Sequence, residues 1–291
     1  MVTVLLSGGL GNQMFQYAAA KALATRLNTS LTIDLYTFTK KTQATVRPYE
    51  LDIFNIKNLP ERSALKGKLI TKARPFIQKH RTFFHKFGIL TDTYAILYQS
   101  VFESITGNIT MSGYFQNEKY FKDIVKALRN DFTFKNPLID DNLKVSDKIA
   151  SSQSVAIHIR RGDYLSQNSQ SNFITLDKAY YENAIRFIIN QIKNPEFFVF
   201  SEDFEWIKEN LNFENYPVTF IDWNKGKNSY IDMQLMSLCK HNIIANSSFS
   251  WWAAWLNNNQ DKVVIAPGHW FQDEQKNKLL DDFYPDGWKK I

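Results

Sequence analysis

The residues best able to do chemistry stand together at His158-Ile159-Arg160-Arg161-Gly162-Asp163-Tyr164, where a histidine, two guanidinium groups and a carboxylate follow an apolar run. That run, Ser-Val-Ala-Ile-His-Ile over 154–159, reads as a buried parallel strand. Ligands of open α/β sheets bind beyond the carboxyl ends of such strands. Arg160 emerges there. Its planar fork of donors matches two phosphate oxygens at once, and its charge does not titrate away, so the segment predicts a polyanionic ligand. A second constellation, Asn246-Ser247-Ser248, carries a strand into an aromatic-rich helix. Serine at a helix start caps free N–H groups, and the same donors at the positive dipole end attract anions. Taken with Arg160, Ser247 and Ser248 favour phosphate. Trp251, Trp252 and Trp255 lie inside the helical pattern and read as core.

The glycine loop Gly8-Gly9-Leu10-Gly11-Asn12-Gln13-Met14 supplies the first two glycines of a dinucleotide fingerprint, and Asp34 ends the next strand where a ribose-binding acid would sit. The third glycine is replaced by Met14, which would obstruct close helix packing. A dinucleotide-dependent oxidoreductase is therefore the alternative, and a glycine turn serving another close backbone approach the main reading.

The elements that must position these residues follow an α/β pattern. Val2 to Leu6 reads as a strand, Ser7 to Gln13 as a loop, Met14 to Leu27 as a helix ended near Asn28, and Ser30 to Leu35 as a strand. From 40 to 110 the pattern is less regular, with helices expected in its basic region. A polar stretch at 151–154 suggests a domain boundary near 150. Beyond it, strands at Phe197 to Phe200, Val218 to Ile221, Ile243 to Ala245 and Val263 to Ala266 alternate with helices over 176–193, 203–211, 229–240 and 248–258. Such alternation means βαβ units and a parallel sheet. The expected domains are 1–150 and 151–270, with 271–291 as a tail packing back across them.

With 291 residues, 44% hydrophobic and 15% aromatic, the chain is folded and has material for two cores. Net charge is +6, and residues 57–90 carry nine Lys/Arg against the single acid Glu61. That excess fits an anionic surface. A basic nucleic-acid-binding protein is the second alternative, set aside because Phe76, Phe83 and Phe84 at helical spacing suit a core better than base stacking. One cysteine, Cys239, excludes an intramolecular disulfide and a cysteine-based zinc site. No signal-peptide pattern or membrane span is read, so a cytoplasmic protein is expected, with residues 57–90 as a peripheral contact at the inner face of the membrane.

Gly8 to Gln16, His158 to Tyr164 and Met236 to Leu256 resemble the three signatures of the α-1,2-fucosyltransferase family, glycosyltransferase family 11. The resemblance spans almost the whole chain. It implies a GT-B architecture of two facing Rossmann-like domains with parallel sheets, GDP-β-L-fucose as donor, inversion at the anomeric carbon, and a terminal galactose 2-hydroxyl as acceptor. It implies no cofactor and no metal. His158 and Arg160 match the donor-contacting His and Arg of the wider fucosyltransferase group. Gly9, Gly11, Asn12 and Gln13 match its glycine loop, and Asp232, Asn246, Ser247 and Ser248 stand where donor-contacting residues are expected.

Residue chemistry agrees on its own terms. Departure of a nucleoside diphosphate needs a divalent metal or fixed cations and dipoles, and no D-x-D triplet occurs in the chain. Guanine offers adjacent N–H donors that one carboxylate can accept together, with Asp232 and Asp203 as candidates. Asp163 and Asp177 are the candidates for the base that takes the acceptor proton, since Asn12 and Gln13 can position a hydroxyl but cannot deprotonate it. Asp163 could instead pair with Arg161, and Asp177 could cap a helix.

Overall fold

The computed structural model describes residues 1–39, 48–57, 59–61, 65–92, 94–162 and 173–291, which form two compact units, Met1–Asn136 and Pro137–Ile291. In the first unit, β1 (Val2–Leu5) is buried along its whole length and leads through the glycine turn into α1 (Leu10–Arg26). The helix starts at Leu10 rather than Met14, because Gly9 takes the extended N-cap conformation and Gly11 to Gln13 already form the first turn. Asn28, at φ 47, terminates it in the left-handed conformation. β2 (Leu31–Asp34), α2 (Leu65–Lys79), α3 (Arg81–Lys86), β3 (Ile89–Thr91), β4 (Ile109–Ser112) and α4 (Val125–Asp131) follow. The sheet is parallel in the order β2-β1-β4-β3, with Val2 opposite both Leu31 and Ile109.

The second unit runs α5 (Asp140–Ser151), β5 (Gln153–Ile159), α6 (Lys178–Gln191), β6 (Pro195–Ser201), α7 (Phe204–Asn210), β7 (Val218–Ile221), α8 (Tyr230–Leu238), β8 (His241–Ile243), α9 (Ser248–Leu256), β9 (Val264–Ala266), α10 (Glu274–Asn277) and β10 (Lys289–Lys290). All pairings are parallel, in the order β10-β9-β8-β5-β6-β7. The expected α/β class with parallel sheets therefore holds. The division falls after Asn136 rather than near 150, since α5 buries Val145 and Ile149 in the second unit and packs on β5 and α8. Residues 271–291 also belong to that unit: β10 adds an edge strand, and Ile291 N donates to Ala266 O at 3.1 Å.

From β5 the chain progresses outward through β6 and β7, then returns to the other side of β5 to build β8, β9 and β10. Connections leaving β5 and β8 therefore diverge at their carboxyl ends. Val155, Ile157, Phe197, Val199, Ile243 and Ile265 pack with Tyr181, Ile185 and Ile188 in one apolar cluster. β8 begins at His241, two residues before the expected strand, because the polar Asn242 is buried in it. Its Nδ2 donates to Met236 O at 2.9 Å and its Oδ1 accepts from Asn257 Nδ2 at 2.8 Å. Asn242→Ala should lower stability by about 2–3 kcal/mol, since it strands both partners in a dry interior. Denaturant unfolding with an unshifted midpoint would contradict this role.

Candidate active site

The glycine turn after β1 is braced from behind. Gly8 sits at φ 78, and an added Cβ would lie 2.7 Å from Asn12 Nδ2, so both conformation and space require glycine. Gln13, fully buried, donates to Gly8 O at 2.9 Å and Pro48 O at 2.8 Å and accepts from Glu50 N at 2.9 Å. Its amide is occupied by backbone, so Gln13 shapes the loop and is corrected from a ligand contact to a brace. Gln16 does the same work, accepting from Ser7 N at 2.9 Å and donating to Gly113 O, also at 2.9 Å, which ties the ends of β1 and β4. Asn12 is half-buried and accepts from Gln116 Nε2 at 2.7 Å. Gly9 is open, with nothing within 4 Å of an added Cβ, while Gly11 is buried in the first turn of α1.

In the second unit, β5 delivers His158 to the sheet's edge with 7% exposure, its ring 5.8 Å from that of Phe249 in the first turn of α9. Burial, reinforced by the Arg160 charge, pushes the imidazole pKa down to about 3. His158 is therefore neutral at physiological pH, a hydrogen-bonding group rather than a cation, and its buried Nδ1 has no partner among the described residues. The neighbouring arginines divide their work. Arg160 Nη1 meets Glu202 Oε1 at 3.0 Å, just beyond β6. Gly162 makes room for that carboxylate, since an added Cβ would lie 2.3 Å from Glu202 Oε2. Arg161 instead pairs through Nε with Asp203 Oδ2 at 3.0 Å and lies 4.0 Å over the Trp206 ring, tying β5 to α7.

The carboxylates separate by what already occupies them. Asp203 caps α7, Oδ1 accepting from Trp206 N at 3.2 Å while Oδ2 holds Arg161, so both oxygens are engaged within the unit. Asp177 is exposed and caps α6, Oδ1 accepting from Tyr180 N at 3.0 Å, the contact that the helix-capping alternative expects. Asp163 lies outside the described residues. Asp232, in the first turn of α8, does not cap: it accepts only from Asn224 Nδ2, at 2.8 Å. Burial raises its pKa to about 7, against the opposing pull of that hydrogen bond. Asn224 is fixed in turn by Asn142, whose Oδ1 also accepts from Trp223 Nε1 at 3.0 Å.

At the start of α9, Ser247 accepts from Phe249 N at 3.3 Å and Ser248 is the first helical residue. Asn246 is fully buried, its Nδ2 donating to Ile174 O at 2.8 Å and Trp270 O at 3.0 Å. That donor pair clamps the loop before α6, so Asn246 positions Ser247 through its Nδ2. Trp251, Trp252 and Trp255 are buried as expected. The structure thus brings His158, Arg160, Ser247 and Ser248 to the carboxyl edge of one sheet, around its β5–β8 switch. Sequence reasoning missed Glu202, Phe249, Asn224, Asn142, Gln16 and Gln116. Only Phe249 and Gln16 lay inside a motif; the others are partners recognisable only once strands are paired. Among the described residues no group of three or more His, Cys, Asp or Glu side chains could hold a metal ion.

The family model described as glycosyl transferase family 11 matches residues 1–291. An α-1,2-colitosyltransferase of Escherichia coli is 37% identical, with 100% of this chain and 99% of that protein aligned. Human galactoside α-(1,2)-fucosyltransferase 1 is 27% identical over 91% of this chain and 67% of its own length. Among solved structures, a mutant of Arabidopsis thaliana FUT1 in complex with GDP has the same fold, with a TM-score of 0.51 at 10% identity, covering 90% of this chain and 69% of that one. A full-length family match and a full-length relative above 30% identity, on a sheet whose switch point carries the HxRR segment, lead to one statement: the chain belongs to glycosyl transferase family 11.

Proposed function

We propose that the chain is an inverting α-1,2-fucosyltransferase that moves L-fucose from GDP-β-L-fucose to the 2-hydroxyl of a terminal galactose without a metal. The observation that carries this is Arg160, positioned by Glu202 where β5 ends at the switch point, beside a family motif whose serines open α9. In a single displacement the acceptor oxygen attacks the anomeric carbon as the bond to GDP breaks, and charge accumulates on the departing phosphate. Arg160 and the free N–H groups at the start of α9 are the donors suited to that charge. Neutral His158 adds a hydrogen bond without competing for it. Asp232, with Asp203 engaged elsewhere, is the carboxylate for the guanine N–H pair. The acceptor proton goes to Asp163 in this reading.

The donor sugar has a second reading, because the 37% identical relative is named a colitosyltransferase. Colitose is fucose without its 3-hydroxyl. A site that hydrogen-bonds that hydroxyl rejects the deoxy sugar strongly, whereas an apolar pocket discriminates only modestly. Competition between GDP-fucose and GDP-colitose decides it, with fucose expected to win.

Arg160→Ala should cut turnover by about 10²–10³-fold, as loss of one preorganised donor does, and Arg160→Lys should recover only part. Wild-type turnover in Arg160→Ala would overturn the donor assignment. Because fixed cations and dipoles serve the leaving group here, activity should survive excess EDTA; loss restored by Mn²⁺ or Mg²⁺ would refute that. Asp177→Asn should keep near-normal turnover, since asparagine caps equally well, and a fall of about a hundredfold would make Asp177 the base.

Asp232 gives a pH test. Its pKa of about 7 means that the carboxylate able to accept from guanine exists mainly above that value, so the donor KM should rise as pH falls from 8 to 6. Stability has the opposite sign. A folded pKa above the ordinary 3.8 binds the proton more tightly than the unfolded chain does, so this group's contribution falls as pH rises from 3.8 to about 7. Asp232→Asn should therefore raise Tm at pH 8 while weakening GDP binding and flattening the KM profile. A pH-independent KM in the wild type would remove Asp232 from the donor site.

A further inference from the structure

α2 and α3 present a face that the transferase reading does not use. Inward, Ile70 and Ile77 are buried against Leu5, with Ala73, Phe84 and Ile89 packed on them. Outward, Leu65, Leu69, Phe76, Phe83 and Phe87 are 69, 61, 59, 57 and 66% exposed. Leu65, Leu69 and Phe76, at spacings of 4 and 7, share one side of α2, and Phe83 and Phe87, four apart, extend the exposed apolar row beyond the break at His80. Phe83 and Phe87 lie ring to ring at 4.8 Å, so the stripe is continuous through α3. On a helical projection Lys68, Lys72 and Lys79 fall along one border of the stripe, while Lys66, Arg81 and Lys86 add charge beside it; all six are exposed. From Leu65 to Thr91 there is no acidic residue, and Arg74 alone of that stretch's cations has an ion-pair partner among the described residues, Asp92 at 3.8 Å.

We infer that this face docks onto a lipid bilayer bearing anionic headgroups. Large apolar side chains on the crest of a surface helix would enter the acyl boundary, and lysines beside them would reach headgroups while their stems stay apolar. Among the described residues no helix is long and apolar enough to cross a membrane, so contact here is with the surface. A second copy fits poorly: two-fold pairing of the stripe would bring two lysine rows together with no carboxylate between them. A polynucleotide would match the charge but leave Leu65 and Leu69 without a partner, since bases stack on aromatic rings. Only a surface that is both anionic and apolar beneath its charge satisfies both rows.

The test needs neither nucleotide sugar nor acceptor, so it stands apart from the transferase reading. Full-length protein is sedimented with vesicles of phosphatidylglycerol and phosphatidylcholine, or of phosphatidylcholine alone. The wild type should bind the anionic vesicles at least about tenfold more tightly. Leu69→Gln/Phe76→Gln/Phe83→Gln should lower that binding at least about tenfold even at low salt. Lys66→Gln/Lys68→Gln/Lys72→Gln/Lys79→Gln should do so through about fivefold per lysine near the surface. The lysines and Leu69 are exposed, and Phe76 and Phe83 meet the partly buried Phe84 only edge-on, so both variants should keep a cooperative thermal transition. Equal binding to the two vesicle types, or anionic binding untouched by the apolar variant, would overturn the proposal. So would a dimer in sedimentation that the apolar variant dissolves, or preferential capture of a single-stranded oligonucleotide.

Discussion

The constraint on which the second unit depends is the reversal of chain progression at β5. A parallel sheet built outward in both directions from one strand leaves two connections parting at that strand's carboxyl end. Everything polar in the unit's site hangs on this edge. β5 delivers His158 and the arginines, β6 delivers Glu202, and β8 delivers Ser247 and Ser248 through the Asn246 clamp. The interior of the same strands is wholly apolar at Val155 and Ile157, which fixes the register against Phe197 and Val199 and with it the position of Arg160 opposite the end of β6. A packing decision deep in the core thus places a charge at the surface.

Two adjacent arginines could have been interchangeable, and the geometry keeps them apart. Successive residues leaving a strand point to opposite sides, so Arg161 turns to α7 while Arg160 meets Glu202. Arg161 is held both by a carboxylate and by a ring, leaving it no freedom to follow a ligand. Glu202 is 56% exposed, so its bond to Arg160 is screened by water. Gly162 permits that loose contact, because any side chain there would collide with Glu202. The motif therefore sends its two guanidiniums to different partners, Arg161 to Asp203 and Trp206, and Arg160 to Glu202.

The sequence was legible where periodicity was long and chemistry local. The alternating strands and helices after residue 195 were readable to within a few residues, because apolar runs such as Phe197 to Phe200 and helices such as Tyr230–Leu238 carry their own pattern. β3 and β4 were not, since strands of three and four residues show no alternation that a loop could not imitate. β8 was displaced because a buried asparagine satisfied by Met236 O looks polar in sequence. The domain boundary was misjudged for a related reason: Val145 and Ile149 are the only apolar anchors of α5, and which unit they join is decided by a partner far along the chain. That Arg160, Ser247 and Ser248 fall where β5 ends and α9 begins was readable from position alone. Asn12, Gln13 and Asn246 were found by motif, but whether an amide faces ligand or backbone depends on groups brought near by folding, and backbone takes up the Gln13 amide and the Nδ2 of Asn246.

The same competition sorts the acidic residues. A carboxylate at a helix start tends to satisfy the free N–H groups beneath it, and Asp177 and Asp203 both do. Asp232 lies three residues past the N-cap Ser229, within the first turn of α8, and its carboxylate caps no helix-start N–H; among the described residues it accepts from Asn224 Nδ2, an asparagine that is itself fixed by Asn142. Placing a carboxylate there, with its pKa driven up to about 7 by burial, destabilises the fold whenever it ionises. A chain selected for stability alone would carry asparagine or leucine at this position. Sites that bind or react are where such local conflicts persist, because the unsatisfied group is completed by a ligand rather than by the protein. The buried, unpartnered Nδ1 of His158 is a conflict of the same kind on the neighbouring strand. The Asp232 carboxylate and His158 Nδ1 are thus two incompletely satisfied polar groups of the second unit that a ligand's donors and acceptors would complete.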